Sequence, residues 1–171
     1  DKSVKNFKNL MKIKNKFSYF NQSNIKDTEL YDFMNNNDLF MRPQLTLQRE
    51  YDLILGNNIN SNFKYDIAYR NFFYCAKGSI KIKLTPHEDV KYLYIHNDYD
   101  TFEFKSTMNV WNTKKEDKKI KNKLKFIDLE LKEGECIYIP AYWLYSFKFD
   151  ETSIIYNFKY YTLMNMISIL P

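Results

Sequence analysis

Glycine, cysteine and histidine are scarce in this sequence of 171 residues, which contains 3 Gly, 2 Cys and 2 His. These residue types build most phosphate-binding loops, disulfide frameworks and zinc sites. The scarcity therefore excludes a glycine-rich nucleotide loop, a disulfide scaffold and a zinc ribbon. Charged or amide residues also interrupt every apolar stretch before it reaches the ~20 residues that a membrane-spanning helix needs.

Apolar and aromatic residues, in contrast, are abundant. The chain is 44% hydrophobic and 18% aromatic, with 15 Tyr and 14 Phe, which is enough to form the core of one domain. Some of these aromatics alternate with lysines, as in residues 147–149 and 158–161. Strand alternation explains the pattern by placing the lysines outside the core, so the sequence favours protein partners over nucleic acid.

Cys75 and Cys136 each lie in an apolar run, and we predict two buried free thiols, since free Cys packs as a small apolar side chain. The sequence leaves the cellular compartment open, with an intracellular or organellar location as the expectation.

Residues 1–38 are predicted to form a basic N-terminal helical extension. No acidic residue occurs between Asp1 and Asp27, and apolar residues recur at roughly helical spacing. The segment fits a targeting, membrane-surface or anion-binding role, but we favour a lysine-rich helix lying across the domain. A second helical piece is predicted from Thr28 to Met34, with Asp27 as its N-cap.

From Leu39 onward, short apolar or alternating runs separated by turn residues predict many strands, as in a sandwich or barrel. The predicted strands lie near residues 45–48, 51–55, 62–67, 70–76, 79–85, 90–95, 125–131, 135–139, 144–149 and 153–160. Lysine-rich residues 112–125 predict a long surface loop. Apolar residues 162–171 predict a short C-terminal helix that covers the barrel or, where exposed, forms a partner or dimer surface.

One stretch, GECIYIPAYWLY over residues 134–145, is more specific than the rest. It reads as a turn glycine, an apolar strand, a proline that ends the strand, and a second strand. It closely resembles the second conserved motif of the cupins, GD-x-x-Y-I-P-x-x-W-x-H in JmjC-type and asparaginyl-hydroxylase-like 2-oxoglutarate oxygenases. Residues 65–94 and the run IIYNF over 154–158 are similar to further motifs of these proteins.

The resemblance covers residues 39–161 and implies a mainly β fold, the double-stranded β-helix of the cupin or jelly-roll barrel. In this family the barrel mouth normally holds iron(II) and 2-oxoglutarate. A facial triad of two His and one carboxylate binds the iron and leaves positions open for the co-substrate and oxygen.

None of the triad positions implied by the resemblance carries a histidine. The distal His position falls on Tyr145. The proximal His-x-Asp pair falls on Tyr65 and Ile67, or on Lys64 and Asp66 if one residue is inserted. We therefore expect no metal, and we expect aromatic and aliphatic side chains to fill the pocket.

The positions that would bind the co-substrate are also altered. Ile80 replaces the lysine that would pair with 2-oxoglutarate, and alternation places Leu84 on the same barrel face and Lys81 on the other. Asn157 matches a family position, but a single Asn is more often a hydrogen-bonded core amide than part of a ligand site.

The two histidines lie between the motifs. His87 and His96 have several acidic neighbours, so a metal site outside the family pattern is conceivable, but such loops are usually solvated. The neighbours are Glu88, Asp89, Asp98, Asp100 and Glu103.

The leading hypothesis from the sequence is a catalytically inactive cupin, without cofactor, acting as a structural or protein-interaction subunit of a larger assembly. The alternative is an iron(II)- and 2-oxoglutarate-dependent hydroxylase of protein or RNA with atypical ligands such as Asp66 and Tyr145. A third hypothesis is a binder of small molecules or anions that keeps the barrel mouth without the metal.

Overall fold

The computed structural model describes residues 18–98, 103–111 and 123–167, and these residues form a mainly β structure. The described helices are α1 (Glu29–Asn37), α2 (Leu163–Ile167) and a 3₁₀-helix (His87–Tyr92). The described strands are β1 (Tyr19–Asn24), β2 (Thr46–Asn57), β3 (Ile59–Asn60), β4 (Lys64–Tyr65), β5 (Arg70–Lys77), β6 (Ser79–Thr85), β7 (Ile95–Asp98), β8 (Glu103–Ser106), β9 (Ile127–Lys132), β10 (Cys136–Ile139), β11 (Leu144–Phe149) and β12 (Ser153–Thr162).

The strands form two antiparallel sheets. One has the order β1-β2-β12-β5-β10, and the other has the order β7-β8-β4-β11-β6-β9 with β3 also paired to β11. Strands that are distant in sequence are therefore neighbours, as in a rolled barrel. The predicted mainly β fold is confirmed, and the topology is consistent with a double-stranded β-helix.

The main apolar core lies between the two sheets. In β6, Ile80, Ile82 and Leu84 are buried in this core, whereas the Lys81 side chain is half exposed and pairs with Asp150. This confirms the predicted alternation of β6. Each large apolar side chain buried in this way contributes about 1.5–3 kcal/mol to folding.

The N-terminal segment differs from the predicted helical extension. Its first 17 residues lie outside the described part of the chain, and the rest is helical only in α1. Residues Tyr19–Asn24 form β1, which pairs with β2 along its whole length. The strand is favoured because β2 would otherwise expose a row of unpaired backbone groups at the sheet edge.

Helix α1 begins one residue later than predicted. Its N-cap is Thr28, whose Oγ1 accepts a hydrogen bond from the Tyr31 amide at 3.2 Å, so the prediction of Asp27 is wrong. The buried carboxylate of Asp38, which follows the helix, joins it to the sheet. It accepts hydrogen bonds from the hydroxyls of Tyr51 at 2.5 Å and Tyr160 at 2.8 Å.

Two other local predictions are wrong. Of the strand predicted near 90–95, residues 90–92 belong to the 3₁₀-helix that follows Pro86, residues 93 and 94 form a turn, and β7 begins only at Ile95. Both cysteines are free, as predicted, but only Cys75 is buried. Cys136 is exposed because it lies at the start of β10, which is the last strand of its sheet.

The predicted short C-terminal helix is present as α2. Most of the predicted lysine-rich loop, residues 112–122, lies outside the described residues, as do residues 168–171. The division of the chain at residues 38 and 161 stays a prediction. Within the described part, no helix is long and apolar enough to cross a membrane.

Candidate functional site

A cavity of about 830 Å³ opens between the two sheets, so the expectation that apolar side chains fill the barrel mouth is wrong. Much of its wall is polar or charged. The amides on the wall are Asn21, Gln22, Asn24, Gln48, Asn60 and Asn62, and the charged residues are Glu50, Asp52, Lys64, Asp66, Lys105 and Lys159.

Asp66 lies immediately after β4, at the wall of the cavity. Its Oδ2 accepts hydrogen bonds from the Tyr145 hydroxyl and from Asn71 Nδ2, the latter at 2.9 Å. Tyr145 is fully buried and is brought to this point because its Cα partner in β4 is Lys64. Antiparallel pairing thus joins groups that are 79 residues apart in sequence.

Lys159 places an ammonium between two carboxylates. Its Nζ lies 3.1 Å from Asp52 Oδ2 and 3.6 Å from Asp66 Oδ1, and only 9% of the residue is exposed. This location corrects the expectation that the lysines of residues 158–161 lie outside the core. A buried charge of this kind is stable only when it is paired.

The charges in this group raise or lower one another's pKa values. Burial by itself lowers the pKa of Lys159, but Asp66 and Asp52 outweigh burial and raise it. Burial by itself raises the pKa of Asp66, but Lys159 and Lys64 outweigh burial and lower it. Both partners are therefore charged at neutral pH. The pKa of Tyr145 is raised by burial and by Asp66, so its hydroxyl stays protonated and donates.

Lys64 is half-buried at the cavity wall and has a different environment. Its Nζ donates a hydrogen bond to Gln22 Oε1 and lies 5.4 Å from the centre of the Tyr145 ring. Burial lowers the pKa of Lys64 to about 8, an effect that Lys159 strengthens and Asp66 partly opposes.

The two alternative sets of triad positions have different surroundings. Lys64 and Asp66 border the cavity, and the buried Tyr145 contacts both of them from within the core. Tyr65 and Ile67 also border the cavity, but both belong to a second apolar cluster in which the Tyr65 ring stacks on Phe104 at 4.6 Å.

The two positions considered for the co-substrate lie away from the cavity wall. Ile80 is 1% exposed in the main core. Asn157 is fully buried, and its Nδ2 donates to Asn71 Oδ1 at 2.5 Å and to the Phe72 carbonyl at 3.0 Å. Among the described residues, Asn157 Oδ1 has no hydrogen-bond partner.

The residues present do not fit a facial-triad iron site. The triad positions hold an ammonium, a carboxylate and a phenol, and the Asp66 carboxylate is already engaged by Lys159. Within residues 18–98, 103–111 and 123–167, no group of three or more His, Cys, Asp or Glu side chains is arranged to hold a metal ion. His87 instead packs edge-on against the rings of Tyr65 and Tyr142.

Sequence reasoning missed Asp52, Gln22 and the inward direction of Lys159. One signal was available for the lysine. Asn157 and Lys159 are two polar residues at alternate positions of β12, a strand whose side chains are almost all buried. In such a strand the alternation of lysine with aromatic residues does not by itself place the lysine outside.

Comparisons with known proteins agree with this fold. A model of the cupin-like domain family matches residues 1–166. No curated protein matches the chain.

Two solved structures are similar in fold. Hydroquinone 1,2-dioxygenase from Sphingomonas sp. TTNP3, with 4-hydroxybenzoate bound, has a TM-score of 0.44 at 11% identity. The match covers 67% of this chain but only 59% of the dioxygenase chain. The Clostridium difficile EutQ protein has a TM-score of 0.42 at 8% identity, over 84% of this chain and 68% of that chain. At these identities, neither similarity bears on the chemistry of the cavity.

Proposed function

The chain belongs to the family of cupin-like domains, and from that premise we propose a catalytically inactive member that acts as a structural or protein-interaction subunit of a larger assembly. The observation that carries the proposal is the ion pairing of Lys159 with Asp52 and Asp66. A side-chain ammonium lies 3.6 Å from the Asp66 carboxylate, which is a triad position in one of the two alignments implied by the resemblance.

Electrostatics explains why this ammonium disfavours a metal. A divalent cation on Asp66 would lie close to Lys159, whose side chain is only 11% exposed and cannot move far into water. Displacing the lysine would also leave Asp52 without its ion-pair partner. Uncompensated buried charges are costly, typically about 3–5 kcal/mol when one partner of a buried pair is removed.

Exposed apolar side chains support a role in protein binding. They lie in α1 and the segment after it, at the start of β2, and in α2. The pairing of Thr46 with Thr162 places the start of β2 next to the residue that precedes α2. We call this set the apolar surface; it comprises Phe33, Leu39, Phe40, Leu45, Leu47, Leu163, Met164 and Ile167. Exposed apolar patches on a folded domain are typical of protein interfaces.

Metal analysis of the full chain, purified without chelator, tests the proposal. We expect well below one equivalent of iron, and no change in the thermal unfolding midpoint when iron(II) and 2-oxoglutarate are added anaerobically. Stoichiometric iron that survives dialysis, or a stabilisation that requires both additions, would contradict it.

The alternative function is an iron(II)- and 2-oxoglutarate-dependent hydroxylase of the JmjC-type or asparaginyl-hydroxylase-like kind. It is favoured by one observation: the buried Tyr145 hydroxyl donates to the Asp66 carboxylate, which lies at the wall of an open cavity. The same experiment separates the two, because a hydroxylase needs the metal and a binding subunit does not.

A further inference from the structure

Lys64 differs from Lys159, the other cavity lysine described above, because its amine contacts a neutral group. Lys159 pairs with two carboxylates, whereas Lys64 Nζ donates to the amide oxygen of Gln22. Among the described residues, no carboxylate lies within ion-pair distance of Lys64 Nζ. Its ammonium form therefore lacks the direct stabilisation that Lys159 has.

Neighbouring charges act on the ammonium form of Lys64 in both directions: Asp66 and Asp52 stabilise it, whereas Lys159 and Lys105 destabilise it. Lys105 is its Cα partner on β8, so both side chains project from the same face of the sheet, and both border the cavity. The charged and titratable groups around Lys64 come from several elements: Asp52 on β2, Asp66 after β4, Lys105 on β8, Tyr145 on β11 and Lys159 on β12. Burial at the cavity wall, with only the neutral Gln22 amide as a direct partner, outweighs these opposing charges and disfavours the ammonium form of the amine.

We propose that Lys64 is a nucleophilic amine that condenses reversibly with small hydroxylated aldehydes or ketones, such as short aldoses, that enter the cavity. The amine nitrogen forms a bond to the carbonyl carbon. Nitrogen loses two protons, the carbonyl oxygen gains two and leaves as water, and an imine results, so the step needs no oxidant or reductant. A lysine that is partly desolvated and lies beside other cations is the usual form of such an amine.

The cavity wall argues for a hydroxylated ligand. Six amide side chains border the cavity, and an amide group can both donate to and accept from a hydroxyl group. Gln22 already binds Asp52 and Lys64 through its two ends, but the other five amides each keep a donor or an acceptor for a ligand. The three lysines on the wall are matched by three carboxylates, Glu50, Asp52 and Asp66, so the wall does not strongly favour an anionic ligand. A volume of about 830 Å³ is ample for a molecule of a few carbon atoms.

Reductive trapping tests the inference on the full-length chain. Glyceraldehyde or propanal is added with cyanoborohydride, the modified lysines are located by peptide mass spectrometry, and each rate is divided by that of N-acetyl-lysine with the same aldehyde. With glyceraldehyde, we expect Lys64 to react at least about tenfold faster than the exposed lysines at pH 7, with a rate that levels off above pH 8. With propanal, we expect a several-fold smaller preference for Lys64.

Two variants complete the experiment. Lys64→Arg keeps the positive charge but removes the reactive amine, so it should abolish the fast reaction. Lys105→Arg changes the cross-strand partner of Lys64 and should leave the fast reaction of Lys64 intact. Thermal unfolding confirms that both variants are folded. No preference for Lys64 would overturn the proposed nucleophile, and an equal preference with propanal would overturn the ligand class. The inference goes beyond the proposed function and can fail independently of it, because metal analysis does not depend on amine labelling.

Discussion

Lys159 shows how paired charges hold one ionised side chain inside this fold. Its ammonium is buried beside Asp52 and Asp66, and the three charges depend on one another. Lysine side chains on strands usually point into solvent, but Lys159 points inward and lies between the two carboxylates of the site. The effect of removing it should therefore depend on the protonation of its partners.

We expect Lys159→Met to destabilise the fold by about 3–5 kcal/mol at pH 7, since it removes the shared ion-pair partner of two carboxylates. The folded-state pKa of Asp66 is depressed, so its contribution is present above the unfolded value of 3.8 and is lost as the pH falls through the folded value. The folded-state pKa of Lys159 is raised, so its contribution is present below 10.5 and is lost at higher pH. Urea unfolding of wild type and variant should show the largest difference between these limits.

Lys148→Met is the control, because Lys148 pairs with Asp150 at a half-exposed site and should cost less than about 1 kcal/mol. The interpretation of Lys159 as a buried ion-pair partner would be wrong if both variants lost similar stability, or if the Lys159→Met loss did not shrink in acid.

At the scale of elements, two glycine turns allow the strands to pair as they do. Gly78 joins β5 to β6 with a φ of +78°, and Gly134 lies between β9 and β10 with a φ of +85°. A left-handed conformation of this kind disfavours any residue with a side chain. The two turns differ in their surroundings, because a Cβ on Gly78 would lie 2.7 Å from Ser153 Oγ, whereas one on Gly134 would meet nothing within 4 Å.

The pair provides a matched test of this difference. Gly134→Ala should lower the free energy of unfolding by about 1–2 kcal/mol, because only the left-handed conformation disfavours the alanine. Gly78→Ala should cost about 1–3 kcal/mol more, because β12 must shift to relieve the contact. Chemical unfolding of both variants measures the difference. Equal losses would show that the turn accommodates the added methyl group and that β12 does not constrain it.

The elements also show which local patterns can be interpreted from sequence. Strands β5, β6, β11 and β12 lie close to their predicted positions because each alternates or is continuously apolar between turn residues. Strand β1 was missed because it depends on pairing with β2, and its own sequence, YFNQSN, has no strong strand pattern. The 3₁₀-helix was mistaken for a strand because its apolar residues do not reveal their period over so short a segment.

For the whole molecule, the apolar surface predicts association. Phe40 is 99% exposed and Met164 is 75% exposed, and the first partner to test is a second copy of the chain. We expect sedimentation velocity to show reversible self-association. The double variant Phe40→Ser/Met164→Ser should weaken it at least about tenfold, since anchors at an interface often contribute 2 kcal/mol or more each.

Tyr69→Ser/Tyr94→Ser is the matched control, because both tyrosines are exposed but lie outside the apolar surface. It should associate as the wild type does. A wild type that stays monomeric at every concentration would contradict self-association through this surface, and a control that is weakened equally would place the contact elsewhere.

The sequence by itself determined the class of fold and the positions to inspect. Alternation, turn glycines and the 134–145 motif are local features, and they predicted a mainly β barrel and the absence of histidine at the triad positions. Only the tertiary structure decided that the mouth is an open cavity with charged and amide side chains on its wall and that Lys159 borders it. The reason is physical: the site forms where strands distant in sequence pair, and the direction and charge of each side chain there depend on neighbours that the local sequence does not specify.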